Sequence, residues 1–246
     1  MRIGTAGWSI PRPLAEAFPG ELSHLERYAR QLTATEINSS FYRPHRRATY
    51  ERWAASVPPE FRFAVKLPRT ITHDQRLVDC ETLLRRFADE VAGLGDKRGP
   101  TLVQLPPSFA WPGEVALQFF ATAQAVLGDV IVVEPRHASW FTPAVAALLV
   151  ELRIARVAAD PAVVAEAAVP GGWSGIAYFR LHGAPQIYRS PYDQAAIAEQ
   201  AARVAALVAS GIEVWTIYDN TASGAALGNA VALQADVAKR CAPAPG

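Results

Sequence analysis

The segment Glu134–His137 places a carboxylate, a fixed cation and an imidazole within four residues. A carboxylate and an imidazole can act as an acid/base pair, and a guanidinium can hold a carboxylate or phosphate of a ligand. A second segment, Arg180–His182, again combines a cation with an imidazole. The structural alternative is a buried ion pair that orders the surrounding loops. We favour function, with Glu134, His137 and His182 as candidate catalytic residues.

Short apolar runs that alternate with stretches of helical period must position these segments, and we count eight such pairs. Strands joined by helices favour a single (β/α)8 TIM-type barrel of class α/β over residues 1–246, with a frayed tail at 242–246. An open Rossmann-like sheet is the alternative, but no strand is followed by a glycine-rich phosphate loop. The predicted strands are Arg2–Thr5, Thr35–Asn38, Phe61–Lys66, Thr101–Leu105, Val130–Glu134, Ala155–Ala159, Ile176–Leu181 and Glu213–Tyr218.

Helix-capping residues support the same division of the second half. Thr142 followed by Pro143 predicts the start of a helix, Asp193 predicts another that runs to Ser210, and Gly211 predicts its end. The pair Asp160-Pro161 is best explained in the same way, as the start of a short helix.

Polar residues follow the predicted strands, which is where a parallel barrel builds its active site. Side chains alternate across a strand, so Glu36 and Asn38 share a face, as do Arg180 and His182. We therefore expect one pocket to collect these side chains. The candidate substrate-binding residues are Glu36, Asn38, Lys66, Gln104, Arg136, Arg180 and Asn220, with Trp8 and Trp140 as aromatic walls.

Composition excludes several classes of protein. Half of the 246 residues are hydrophobic and the net charge is +1, which is typical of a globular protein without a global field for nucleic acid or membranes. Two distant cysteines argue against a disulfide framework, so a cytoplasmic location is expected, with no membrane partner.

One basic stretch, residues 41–76, has eight cations against three anions, but a solvated arginine-rich surface is favoured over a nucleic-acid partner.

Seven ordered segments of the chain resemble the YecE-like family, also called domain of unknown function 72. The resemblance spans nearly the whole chain and implies a TIM-type barrel, but it implies no activity. Asp219 stands where the family commonly has Asn, which adds a carboxylate to the strand ends. The segments are Ile3–Trp8, Thr35–Arg43, Phe61–Lys66, Ile71–His73, Gln104–Phe109, Glu134–Trp140 and Phe179–Gly183.

Three functions remain open from the sequence. The favoured hypothesis is an enzyme that uses acid/base chemistry on a small, polar, anionic metabolite, with no cofactor and no metal. The alternatives are metal-assisted phosphodiester chemistry on nucleic acid and a binder of a small molecule without catalysis. Carboxylates and histidines could supply metal ligands, but Lys66, Arg136 and Arg180 would share the pocket and repel a bare cation. Nothing in the sequence specifies an oligomeric state.

Overall fold

A computed structural model describes residues 1–128 and 130–241. The predicted fraying of residues 242–246 lies outside this range. The strands are β1 Arg2–Thr5, β2 Ala34–Ile37, β3 Arg62–Lys66, β4 Arg98–Gln104, β5 Ile131–Glu134, β6 Ala155–Arg156, β7 Ala158–Asp160, β8 Gly171–Gly172, β9 Ile176–Leu181 and β10 Glu213–Tyr218. The α-helices are α1 His24–Ala29, α2 Arg47–Ala55, α3 Glu81–Val91, α4 Glu114–Leu127, α5 Pro143–Glu151, α6 Gln194–Ala209 and α7 Ala225–Cys241.

The strands of the described residues form two sheets. One has the order β1-β10-β9-β7 and the other β2-β3-β4-β5-β6-β8, and every pair is parallel except β6 with β8. The predicted α/β class with parallel pairing is therefore confirmed. The ladders do not form the single closed ring of the predicted barrel, because the predicted sixth strand divides at Val157 and β1 meets β2 through one isolated bridge between Ala6 and Glu36.

Local sequence signals explain where the helices begin. The Thr142 hydroxyl accepts from the Val145 amide at 3.3 Å at the start of α5, and Asp193 caps α6 in the same way. The pair Asp160-Pro161 does not begin a helix, which corrects the prediction. The Asp160 carboxylate accepts from the Tyr192 hydroxyl at 2.5 Å, so it is not available as a cap, and only a short 3-10 helix follows at Ala165–Ala168.

Buried apolar residues form two clusters. The larger one fills the space between the strands and the helices. The smaller one takes side chains from both sheets, so it lies on the face of the strands that is turned away from the helices. We call it the inner cluster, and it consists of Ala34, Ala64, Leu102, Val132, Ala155, Val157, Ile176, Tyr178, Trp215 and Ile217.

Gly4 allows β1 to approach β2 closely. A Cβ atom at this position would lie 1.9 Å from the Ala34 carbonyl oxygen, which no side chain could tolerate. The contact continues past the strand end, where the Gly7 amide donates to the Glu36 carbonyl at 2.8 Å. The two sheets therefore meet at the position of Glu36, a predicted site residue.

Candidate active site

The strand ends bring a set of ionisable side chains together above the inner cluster. Because side chains alternate, Glu36 follows Ala34 on the inner face, and Arg180 follows Tyr178. All members of the set are at most 8% exposed. The set comprises Glu36, Lys66, Glu134, Arg180, His182 and Asp219.

Arg180 lies at the centre of this set and is fully buried. Its guanidinium donates to both carboxylate oxygens of Glu36, at 2.8 and 3.1 Å. It also donates to Glu134 at 2.5 Å and to Asp219 at 3.0 Å. The Tyr178 hydroxyl donates to Glu36 at 2.8 Å. One guanidinium thus joins three carboxylates that come from β2, β5 and the residue after β10, which offsets the cost of burying each charge.

His182 lies between two of these carboxylates. Its Nδ1 atom is 3.0 Å from the Asp219 carboxylate, and its Nε2 atom is 2.9 Å from Glu134. The Arg136 guanidinium is 3.1 Å from the same Nε2 atom and donates twice to Glu134, at 2.8 and 3.0 Å. The ring therefore has hydrogen-bond partners for both nitrogens in either protonation state. A neutral ring donates from Nδ1 and accepts from Arg136 at Nε2, and a protonated ring donates to both carboxylates.

The surrounding charges decide how the carboxylates titrate. Burial alone would raise the pKa of Glu134, but Arg180 first, then Arg136 and His182, outweigh it and hold this pKa well below its ordinary value. Burial is likewise outweighed at Asp219, where Arg180 and His182 lower the pKa. At Tyr178, burial and the Glu36 carboxylate raise the pKa well above its ordinary value, so the hydroxyl keeps its proton. Glu134 and Asp219 are therefore carboxylates at neutral pH.

Lys66 differs from the other cations of this set. Its ammonium lies 4.0 Å from the centre of the Phe41 ring. Burial and then the nearby Arg180 charge lower the pKa of Lys66 to about 8, despite the opposite effect of the three carboxylates. A lysine in this state exchanges its proton close to neutral pH.

A cavity of about 240 Å³ opens beside the cluster. Glu134, Arg136 and His182 form its polar wall. The opposite side is mainly apolar and includes Pro107, Val157, Ala162, Val163, Ala167 and Ile187. A pocket of this kind, apolar with a few convergent polar groups, is typical of sites for small molecules.

Several predicted residues lie apart from the cluster. His137 bonds the Ser139 hydroxyl at 2.9 Å and accepts from the Ser139 amide at 3.2 Å, so it caps a 3-10 helix at Ala138–Phe141. The Gln104 amide donates to the Leu105 carbonyl at 2.9 Å. The Asn220 amide is bound to Ser190 and Asn229. The prediction of a catalytic His137 is not supported by this placement, because the ring is held by its own turn.

Two side-chain oxygens near the strand ends have no partner. Asn38 and Asn220 each have a buried Oδ1 atom with no hydrogen bond in the described part of the chain. A buried acceptor without a donor is costly, so these oxygens are candidate contacts for a ligand hydroxyl or a water.

The predicted aromatic walls have other roles. Trp140 is fully buried, its indole donates to the Phe109 carbonyl at 2.9 Å, and it packs at 4.7 Å from Trp111. It has no surface left for a ligand, so the wall prediction is wrong at this position. Trp8 is half-buried against Trp53 at 5.0 Å. It packs on the side of α2 and is not among the residues of the cavity beside His182.

Two residues that bind this cluster or belong to it were not among the predicted catalytic or substrate-binding residues. Asp219 fixes Nδ1 of His182, and Tyr178 donates to Glu36. Strand alternation was the available signal for Tyr178, because it precedes Arg180 by two residues on the same face.

The described residues, 1–128 and 130–241, contain no group of three or more His, Cys, Asp or Glu side chains arranged to hold a metal ion. The three buried carboxylates instead converge on Arg180. In the same part of the chain, no helix combines the length and apolar character needed to cross a membrane.

These features define an α/β protein whose parallel strands end in a buried cluster of ionised side chains beside a small cavity. The model of the family described as "Protein of unknown function DUF72" matches residues 2–245, so the chain belongs to that family. The resemblance to the YecE-like family is thereby confirmed.

The UPF0759 protein YecE of Escherichia coli strain K12 is 31% identical over 107 residues, which are 44% of this chain and 38% of that protein. The alignment thus covers well under half of that curated relative's length.

Two solved structures show the same fold. A DUF72 family protein from Enterococcus faecalis V583 has a TM-score of 0.81 and 22% identity, over 96% of this chain and 95% of that one. A DUF72 family protein from Thermotoga maritima MSB8 has a TM-score of 0.74 and 20% identity, over 95% of this chain and 97% of that one. At these identities the likeness concerns the fold alone.

Proposed function

We propose that this protein is an enzyme that uses acid/base chemistry on a small anionic metabolite in the cavity beside His182. The hydrogen bonds of His182 carry the proposal. Its Nε2 atom faces both a carboxylate acceptor and a guanidinium donor, and Asp219 holds Nδ1, so the ring keeps its partners whether or not it carries the transferred proton. A group of this kind can both take and return a proton.

Glu134 has a supporting role in this proposal. The cations around it hold the pKa of Glu134 well below the ordinary value, so it is a weak proton acceptor and carries no proton to donate at neutral pH. Its carboxylate lies 2.9 Å from Nε2 and can accept a hydrogen bond from a proton that the ring takes up there. The proton transfer is therefore assigned to His182, with Glu134 and Asp219 as the groups that orient and stabilise it.

Arg136 is the proposed anchor for the anion. Two of its guanidinium nitrogens bind Glu134, whereas the third contacts only the exposed Tyr188 hydroxyl, at 3.4 Å. Its side chain is 20% exposed, which leaves it accessible from the cavity. A ligand carboxylate or phosphate can replace the Tyr188 contact, while the apolar side of the cavity accepts a short hydrocarbon part of the ligand.

We also infer that the two sheets together form one barrel-like wall around the inner cluster. Three observations support this inference. The inner cluster takes side chains from both sheets. The Ala6–Glu36 bridge joins β1 to β2. The Val157 amide donates to Val133 at 2.9 Å, so the segment 155–160 pairs with β5 at its beginning and with β9 at its end. Such an arrangement places the cluster at the C-terminal mouth of a barrel.

Proton exchange into a ligand tests the proposed function. Each member of a panel of short oxo and hydroxy carboxylates, pyruvate included, is incubated with the protein in D2O, and NMR follows the loss of C–H signals. We expect at least one member to raise the melting temperature and to exchange a proton in a protein-dependent manner. His182→Asn, whose amide can still donate to Asp219, should abolish the exchange while the ligand still binds.

His137→Asn is the matched control, because this second histidine also follows a strand end, that of β5, but caps its own turn. It should exchange at the wild-type rate. Equal exchange by the wild type and His182→Asn would overturn the assignment. A ligand that stabilises the protein and never exchanges would identify a binder instead of an enzyme. The metal-assisted alternative finds less support, because the carboxylates that would ligate a cation are bound to Arg180.

A further inference from the structure

Lys66 is the last residue of β3, and its amine lacks the partners that the other cations of the cluster have. It is 6% exposed and lies over the Phe41 ring. Across the described residues it makes no hydrogen bond and no ion pair through its amine. By contrast, the amine of Lys97 donates to the Ala54 and Val57 carbonyls. An amine without a protein acceptor depends on water, or on a ligand, for its hydrogen bonds.

The carboxylates of the cluster are already occupied by other donors. Glu36 accepts from Arg180 and Tyr178, while Glu134 accepts from Arg136 and Arg180. Asp219 accepts from Arg180 and faces His182. The charged groups that face Lys66 are therefore neutralised chiefly by one another, so a protonated Lys66 gains little from them. These groups are Glu36, Glu134, Arg180 and Asp219, with His73 from the neighbouring turn.

An amine in this environment is nucleophilic near neutral pH. With a pKa of about 8, roughly a tenth of Lys66 is uncharged at pH 7, against less than one part in a thousand for an ordinary lysine. Burial beside a cation is a known way to activate a lysine that attacks carbonyl groups.

We infer that Lys66 forms an imine with a small carbonyl compound that carries a carboxylate. The inference rests on the proposed function and names its substrate class as short 2-oxo acids. The lone pair of the uncharged amine forms a C–N bond to the carbonyl carbon, and the oxygen takes the amine proton to give a carbinolamine. This hydroxyl leaves as water after taking a proton from the solvent, and the protonated C=N bond remains.

The imine would make the neighbouring C–H bonds more acidic. The protonated nitrogen draws electrons from the imine carbon, so a proton on the next carbon, C3 of the oxo acid, can pass to a base such as the His182 ring. The electron pair of the broken C–H bond then forms a C=C bond, and the C=N bond becomes a C–N single bond. The carboxylate of the same ligand would bind Arg136, whose outer nitrogen is held only by Tyr188. Lys66 is not among the residues that line the cavity, so a dependence of the adduct on Arg136 is the observation that would show one ligand reaching both side chains.

Reductive trapping tests the inference on the folded protein. The chain has three lysines, Lys66, Lys97 and Lys239, so peptide mass spectrometry resolves each of them and the α-amine of Met1. Formaldehyde with cyanoborohydride first measures how fast each amine reacts with the smallest carbonyl. Pyruvate with cyanoborohydride then measures recognition of an oxo acid.

At pH 7 we expect Lys66 to react with both reagents at least tenfold faster than Lys239. Its pyruvate adduct should decrease at least tenfold in Arg136→Gln, whereas its reaction with formaldehyde should not change. Lys66→Arg, which keeps the positive charge, should form no adduct at this position. Folding of each variant is checked by its unfolding transition.

Two results would overturn the inference. One is a folded protein in which formaldehyde modifies Lys239 and Met1 before Lys66. The other is a pyruvate adduct that does not depend on Arg136.

The outcome of this test can be told apart from the outcome of the proton-exchange test of the proposed function. Trapping at Lys66 without proton exchange in D2O rejects only the role of His182, and exchange with an unreactive Lys66 rejects only the imine.

Discussion

Replacement of Lys66 by Met should stabilise the protein at neutral pH. Burial and Arg180 disfavour the ammonium, and a pKa of about 8 in place of 10.5 corresponds to about 3 kcal/mol against the charged form. The attraction between the Phe41 ring and the ammonium offsets about 1 kcal/mol of this cost. Methionine has a similar shape and packs well on an aromatic ring. We therefore expect Lys66→Met to raise the free energy of unfolding by about 2 kcal/mol at pH 7.

The pH dependence gives the sign of the effect. The folded protein releases the Lys66 proton near pH 8, whereas the unfolded chain releases it only near 10.5. Between these values the unfolded state binds more protons, so the wild type gains stability as the pH rises. The difference between Lys66→Met and the wild type should thus shrink by at least half between pH 7 and pH 9.5. Urea unfolding followed by tryptophan fluorescence measures it at both values.

Lys97→Met is the matched control, because the amine of Lys97 is also partly buried but has two carbonyl acceptors. Its removal leaves those carbonyls without a donor and should destabilise the protein by about 1–3 kcal/mol. Lower stability of Lys66→Met at pH 7, or a difference between Lys66→Met and the wild type that does not change with pH, would refute the reasoning. Either result would mean that the ammonium of Lys66 has a stabilising partner.

Three further changes have defined outcomes. Tyr178→Phe removes a buried hydrogen bond to the Glu36 carboxylate and should cost about 1.5–3 kcal/mol in urea unfolding, so a neutral result would contradict the contact. The pKa of Asp219 is lower in the folded protein than in the unfolded chain, so its ionised carboxylate stabilises the fold above the ordinary Asp pKa, and this stabilisation is lost as the pH falls through the folded pKa. In Asp219→Asn, the free energy of unfolding should therefore fall less steeply with pH below about pH 4. Thr142→Ala removes the cap on the Val145 amide and should cost about 1 kcal/mol of unfolding free energy; no loss would argue against the cap.

The architecture followed from local patterns in most places. The strand periods predicted all eight strand positions, although the sixth strand is divided at Val157. Thr142 and Asp193 marked the starts of two helices because their side chains act on amides three residues away. The same reasoning failed at Asp160. The Tyr192 hydroxyl, 32 residues further along the chain, takes its carboxylate, and no local pattern contains that contact.

The candidate site was likewise predictable from the sequence only in part. Alternation along β9 predicted that Arg180 and His182 share a face, and both side chains bond Glu134 in the structure, because a period of two is a property of a single strand. It could not separate His182 from His137. Both follow strand ends, but only His182 meets carboxylates from two other segments, whereas His137 is satisfied by its own turn.

The sequence by itself determined which side chains leave the strands on the inner face, and therefore which charges had to share one region. The tertiary structure alone decided how those charges pair. Hydrogen bonds between Arg180, Glu36 and Glu134 join residues from three distant strands, and their lengths depend on how the strands pack. It also decided that Lys66 is the cation left without a carboxylate, because partners are assigned by distance in the folded chain and not by the order of residues.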